Sequence, residues 1–179
     1  MKIIDNCLHQ SLYSDLVFLS KCIDYKFSDT TTESTDNRPS FSFNAVGNEI
    51  YINPTLTAVA YLVKVALINA GENISDSIHR LRFTVLTPSN LGANLPHVDS
   101  TENHKVALFY LNESDGNTII YNKKYRGEET RQSDFSNLKI AHEIEPKQNR
   151  MILFNGDNIH CSTPPKEYSF RSILNVNYL

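Results

Sequence analysis

From Arg80 to its C-terminus the chain is cut into short alternating or solidly apolar runs separated by turn residues. An all-helical domain cannot absorb that texture, whereas β-sandwiches and barrels require it. The runs predict strands at 80–87, 97–99, 105–111, 117–121, 139–144, 150–155, 158–161 and 169–178. Between them, 112–116 (NESDG), 146–149 (PKQN) and 163–166 (TPPK) supply the Asn, Asp, Gly and Pro that turns need. Eight short strands suit a mostly β, double-sheet jelly roll, the cupin-like double-stranded β-helix.

The first 75 residues read differently. Leu12, Leu16, Val17, Leu19 and Ile23 recur at helical spacing over 11–25, with Asp15 early in the segment, where the helix dipole favours an acid. Asn53-Pro54 opens a second expected helix, 56–68 is densely apolar, and Gly71 is placed to end it. The polar stretch 28–38 (SDTTTESTDNR) marks a loop. The simplest organisation is one domain over 1–179, with 1–75 a helical support and 76–179 the jelly-roll core.

Composition narrows the partners. A net charge of -3 and a pI near 6.0 give no global attraction to phosphate backbones, which argues against a nucleic-acid binder. The basic cluster Lys123, Lys124, Arg126 and Arg131 is interleaved with Glu128, Glu129 and Asp134 and reads as a solvated loop. The longest apolar run, 58–68, is broken by Lys64 and falls well short of the ~20 residues that cross a bilayer, so no membrane association is expected. Cys7, Cys22 and Cys161 have neither metal-finger spacing nor an even count, and no leader is evident, which fits a reducing cytoplasm.

The candidate chemistry lies in His97, Asp99, His160 and Arg171. Two His and one carboxylate, with other positions left open, is the ligand set of non-haem Fe(II) oxygenases. A lone His-x-Asp is weak, since six His and ten Asp in 179 residues give about a third of a match by chance. Strand alternation, however, points His97 and Asp99 the same way and Val98 the other. A jelly roll can then bring in His160 from a sequence-distant strand. On the last strand, Arg171, Ile173, Asn175 and Asn177 share one face, while Ser172, Leu174, Val176 and Tyr178 share the face better suited to pack on the helices. Amides are costly in a sealed apolar core, so the Arg171 face is expected to line a polar cavity, with Asn175, Asn177 and Thr87 as candidate lining residues.

These elements carry a resemblance. His97-Val98-Asp99 is followed by Phe109-Tyr110-Leu111-Asn112, a turn with Gly116, Ile144-Glu145-Pro146-Lys147, Asn149-Arg150 leading into Ile152-Leu153-Phe154, then His160 and Arg171. In that order and spacing the chain resembles the 2-oxoglutarate/Fe(II)-dependent dioxygenases, and among them the prolyl 4-hydroxylase-like group. The resemblance implies Fe(II) on His97, Asp99 and His160, and 2-oxoglutarate with its far carboxylate paired to Arg171, whose guanidinium offers bidentate geometry. It also implies a contact from Tyr110 to the cosubstrate, consumption of O2 with release of succinate and CO2, and ascorbate as a compatible reductant. The implied substrate is a peptidyl prolyl or other side chain first, and a free amino acid or small metabolite next. The family's tyrosine shortly before His-x-Asp is here replaced by Thr87-Pro88, and a second turn glycine by Asp115.

Other residues are read more plainly. His104, beside the motif, is expected to be a loop-edge residue rather than a ligand, and His142 a satisfied barrel histidine. His9 and His79 carry no signal. Cys161 follows a proposed ligand, but alternation turns it away from the metal and makes it a packing residue. The stretch 123–137 is either a substrate lid or an uninvolved surface excursion. An alternative outside enzymology is a non-catalytic jelly-roll module that binds a metal or ligand.

Overall fold

A computed structural model of the chain describes residues 1–31, 38–47, 50–51, 57–74, 78–127 and 137–179. In chain order the elements are β1 (Lys2–Asp5), α1 (Gln10–Lys21), β2 (Lys26–Ser28), β3 (Ser40–Gly47), β4 (Ile50–Tyr51), α2 (Thr57–Asn69), β5 (Ile78–Leu86), β6 (Lys105–Tyr110), β7 (Thr118–Lys124), β8 (Ile140–Ile144), β9 (Arg150–Asn155), β10 (Asn158–Ser162) and β11 (Arg171–Tyr178). The large sheet runs β1-β9-β6-β11-β5-β3-β2, with β4 on β3, and the small sheet runs β10-β7-β8. These strand pairings are all antiparallel, and the architecture is a mostly β jelly roll.

Two apolar clusters explain why the layers stack. Leu81, Phe83, Ala107, Phe109, Met151, Leu153, Leu174, Val176 and Tyr178 leave the outer face of the large sheet and meet Leu8, Tyr13, Leu16, Val59, Ala60, Val63, Ala66 and Leu67 from the helical side. The face of β11 assigned to the helices from its parity is the one that packs there. Residues of the opposite parity, Val106, Leu108, Tyr110, Ile152, Phe154 and Ile173, close on Ile120 and Ile144 of the small sheet. The inner face changes character across the sheet. It is apolar on β9 and β6, mixed on β11, and polar on β5 and β3, where Arg82 stands opposite Asn44 and Thr84 opposite Ser42.

Several expectations shift in detail. Helix α1 begins at Gln10 with His9 as its cap, the imidazole accepting from the Ser11 N–H; its first turn holds no acid, and Asp15 is exposed one turn further on. Asn53 and Pro54 lie outside the described residues, but Gly71 ends α2 as expected. With φ of 78° it lets its own N–H reach the Ile68 carbonyl at 2.9 Å and that of Glu72 reach Leu67 at 3.0 Å, a Schellman closure. The expected strand at 97–99 reduces to a single bridge, His97 with His160. The N-terminal region also contributes four strands beside its helices. Ser40-Phe41-Ser42-Phe43-Asn44-Ala45 does alternate in strand fashion, while β1 and β2 are mostly exposed edge segments without an apolar stripe to announce them. Of the loop 28–38 and the stretch 123–137, residues 32–37 and 128–136 lie outside the described residues.

Candidate metal centre

The small sheet and the segment before β6 build the site together. His97 N–H donates to the His160 carbonyl and His160 N–H to the His97 carbonyl, both at 2.9 Å. Such a reciprocal pair sets two residues directly opposite, with side chains on the same face. The ladder continues where Asn94 N–H donates to the Ser162 carbonyl at 2.8 Å and the Asn94 amide to the Ser162 hydroxyl at 2.9 Å. The two imidazole rings lie 4.7 Å apart, and Phe154 stands edge-on to His160 at 5.0 Å.

Each ring is oriented by its own backbone. His97 Nδ1 lies 2.9 Å from the Leu95 carbonyl and His160 Nδ1 3.0 Å from that of Asn158. A carbonyl can only accept, so each Nδ1 carries the proton and each Nε2 keeps its lone pair. Both lone-pair nitrogens face Asp99, with His97 Nε2 3.9 Å from Oδ1 and His160 Nε2 3.9 Å from Oδ2. All three ligand atoms fall within 4.8 Å of one another, the span of one ion's ligand set.

Asp99 is held from two strands, because Arg80 on β5 donates to Oδ1 at 3.1 Å and Asn175 on β11 to Oδ2 at 3.0 Å. Burial works to raise its pKa, but the Arg80 charge and the Asn175 hydrogen bond work against it and favour the charged carboxylate. For His160, burial and the neighbouring His97 lower the pKa to about 4, which keeps that ring neutral at ordinary pH. A charged carboxylate and a neutral His160 ring are protonation states a divalent metal needs.

Arg171 lines the same cavity, wholly buried, and donates from Nη2 to the Thr118 hydroxyl at 2.8 Å. Tyr110 donates to the same hydroxyl at 2.8 Å, and its ring lies 5.8 Å from the guanidinium carbon. Burial lowers the Arg171 pKa, and among the described residues no carboxylate pairs with it. Gly116 makes this geometry feasible: a Cβ there would come within 2.6 Å of the Thr163 carbonyl oxygen and 2.9 Å of Arg171 Cδ. Asp115, where the second turn glycine was expected, accepts from the Lys166 and Glu167 N–H groups at 3.0–3.1 Å. That links the β6–β7 turn to the loop preceding Arg171.

The structure thus brings His97, Asp99, His160 and Arg171 into one cavity and sets Tyr110 behind Thr118. Asn175 lines the cavity and orients Asp99. Asn177 is buried and lines an adjoining cavity that shares Arg80 and Asp99. Thr87 does not line the cavity: it is exposed beyond the end of β5, and Arg80, Arg82, Thr84 and Leu86, with the inward parity, line it instead. Nothing in the sequence singles out Thr118, whereas the parity that assigns the Arg171 face also assigns Arg80, Arg82 and Thr84 once β5 is paired with β11. His104 is buried against Gly156 with Nδ1 2.7 Å from the Glu102 carbonyl, away from the ligand set. His142 is exposed opposite Ile120 rather than enclosed, because β8 is the edge of the small sheet. Cys161 directs its sulfur to the Tyr121 hydroxyl at 3.3 Å.

The fold is that of the 2-oxoglutarate/Fe(II) oxygenases. No protein-family model and no curated protein sequence matches the chain. Among solved structures, a 2OG-Fe(II) oxygenase-family oxidoreductase from Burkholderia pseudomallei superposes with a TM-score of 0.73 at 12% identity, over 98% of this chain and 83% of that one. A Pseudomonas putida prolyl-4-hydroxylase matches with a TM-score of 0.63 at 15% identity, over 99% and 91%. The α-ketoglutarate-dependent epimerase SnoN of nogalamycin biosynthesis matches at 0.68 and 10% identity, over 99% and 77%.

Proposed function

We propose that this chain is a 2-oxoglutarate- and Fe(II)-dependent dioxygenase that hydroxylates a peptidyl prolyl or other side chain, or failing that a free amino acid or small metabolite. The observation that carries this reading is the convergence of two imidazole Nε2 atoms and a fixed carboxylate in one cavity with a buried guanidinium that pairs with no carboxylate among the described residues. The donor set fits the group: two neutral nitrogens and one carboxylate oxygen on one side of an ion match the facial triad. When bound, Fe(II) and 2-oxoglutarate would supply the O2 chemistry, with succinate and CO2 released.

The residues of the chain divide the remaining work. His97, Asp99 and His160 would hold the metal, their orientation set by the Leu95 and Asn158 carbonyls and by Arg80 and Asn175. Arg171 would take the far carboxylate of the cosubstrate, with Thr118 able to share a hydroxyl contact and Tyr110 fixing Thr118 from behind. Leu108 and Ile173, members of the inner apolar cluster, line the cavity and would keep water from that side. Ascorbate is the reductant we would supply in assays. A single domain in a reducing cytoplasm is consistent with β3 pairing to β5 across the 75/76 boundary and with three free cysteines. No helix among the described residues is long and apolar enough to cross a membrane.

Anaerobic addition of Fe(II) and 2-oxoglutarate should produce a weak visible charge-transfer band, and aerobic incubation should release succinate above a His160→Ala control. Absence of both would leave a non-catalytic jelly-roll module as the better account. With the band in place, a peptide and metabolite panel scored by succinate release identifies the substrate class.

A further inference from the structure

Among the described residues, three guanidiniums line the cavity, those of Arg80, Arg82 and Arg171, against one carboxylate, that of Asp99. Two already have an assignment. Arg80 is spent on Asp99, and Arg171, on the reading above, on the cosubstrate. Fe(II) and dianionic 2-oxoglutarate cancel each other, so their binding leaves the excess positive charge where it was.

Arg82 is the unassigned one. It sits on the inner face of β5, opposite Asn175 on β11 and Asn44 on β3, one inward position along from Arg80. Its Nη2 donates to the Ser42 hydroxyl at 3.0 Å, its Nε is buried without a partner, and no carboxylate among the described residues pairs with it. Burial and the adjacent Arg80 both work against its charge. A half-buried guanidinium satisfied only by a hydroxyl is a costly arrangement unless an anion completes it. The planar fork of Arg fits a carboxylate or phosphate in two-point fashion. A fold that needed only to fill this position would be served by an uncharged residue.

We propose that Arg82 is a substrate-binding residue and that the substrate carries an anionic carboxylate or phosphate group, which Arg82 engages beside the metal centre. This rests on the oxygenase reading and narrows it: an acidic side chain or an acidic metabolite is preferred over a neutral one.

The test uses protein loaded anaerobically with Fe(II) and 2-oxoglutarate, and three blocked probes that differ only in side chain: acetyl-aspartyl-amide, acetyl-phosphoseryl-amide and acetyl-asparaginyl-amide. By isothermal calorimetry, wild-type protein should bind one of the charged probes about tenfold or more tightly than the neutral one, the scale of a charge-assisted hydrogen bond. Whichever charged probe wins identifies carboxylate or phosphate as the source. Arg82→Gln should erase the preference, and Arg82→Lys should retain part of it, with the 2-oxoglutarate band and melting temperature of both variants near wild type. The proposal is overturned if neither charged probe is preferred, if no probe binds, or if Arg82→Gln keeps the preference. Loss of 2-oxoglutarate binding in Arg82→Gln would overturn it too, by making Arg82 the cosubstrate anchor. A wild-type protein with no charge-transfer band fails at the earlier step, the oxygenase reading itself, so the two failures are told apart before any probe is added.

Discussion

The two faces of β11 solve opposite problems with alternate residues of one strand. Leu174, Val176 and Tyr178 face the helices, where Phe83, Phe109 and Met151 join them in one buried cluster. Arg171, Ile173 and Asn175 face the cavity, where Arg171 bonds to Thr118 and Asn175 to Asp99. Packing on the outer face is non-directional and summed over many contacts, so it determines whether the sheet holds at all. The inner face depends on individual hydrogen bonds of defined direction, each net worth about 0.5–1.5 kcal/mol, or about 1.5–3 when charged. Damage to the outer face should therefore appear as lost stability, and damage to the inner face as lost ligand affinity in a chain that still folds.

The largest break of this contrast is Leu174→Ala. The side chain is fully buried, and the cavity left behind should cost about 2–5 kcal/mol in denaturant unfolding. Iron and 2-oxoglutarate affinities of the fraction that remains folded should stay near wild type. A selective loss of ligand binding with unchanged stability would erase the division of labour between the faces.

Three residues back, Arg171→Ala makes the reciprocal cut. Losing a charged hydrogen bond to the far carboxylate should weaken 2-oxoglutarate by about 10- to 100-fold while iron binding is nearly retained. Titration of the charge-transfer band at fixed iron measures the first, and anaerobic iron titration the second. Equal loss of both would make Arg171 a folding residue, a role its complete burial makes worth testing.

The outer face was the more legible in sequence, for a physical reason. Apolar alternation reports burial strand by strand, and parity alone separated Leu174 and Val176 from Arg171 and Asn175. The ligand quartet was legible because its four members follow a known order of motifs. What could not be read was anything fixed by pairing between distant strands. Arg80 orients Asp99 only because β5 lies beside β11, and Thr118 meets Arg171 only because β7 closes over the large sheet. His97 and Asp99 converge through one bridge to His160 and two side-chain anchors, rather than through the short strand expected for them. The edge strands β1 and β2 bury little and so leave no stripe to find.

Asn175→Ala sharpens the comparison within the inner face. It removes one of the two side-chain donors holding Asp99 and leaves every proposed ligand in place. Carboxylate partners of this kind tune metal affinity by about 10- to 100-fold, and retention of Arg80 places the expected loss near the lower end. The change should fall on iron affinity, with little effect on the melting temperature. A large stability loss would mean that Asn175 braces the sheet rather than the carboxylate.

The smallest expected effect belongs to the outer side, where polarity also occurs but serves to tie elements together. Glu72, just past α2, accepts from Lys2 and Lys105 at 2.8 Å and from the Tyr178 hydroxyl at 3.3 Å, joining the helix end to β1, β6 and β11. Hydrogen bonds from Lys105 and then Lys2 lower its pKa from 4.5 to about 2. A carboxylate whose pKa is depressed on folding stabilises the fold fully above its unfolded value, and that contribution is lost as pH falls through the folded one. It should therefore fade from about pH 4.5 down to about 2. The lysines are 53% and 45% exposed, so solvent screening should hold the contribution at neutral pH below ~1 kcal/mol. In urea unfolding, Glu72→Gln should show a slightly lower stability at pH 7, and its difference from wild type should close as the pH drops through that window. A difference that stayed constant down to pH 2 would show that the bridge contributes through packing around Tyr178 and not through charge.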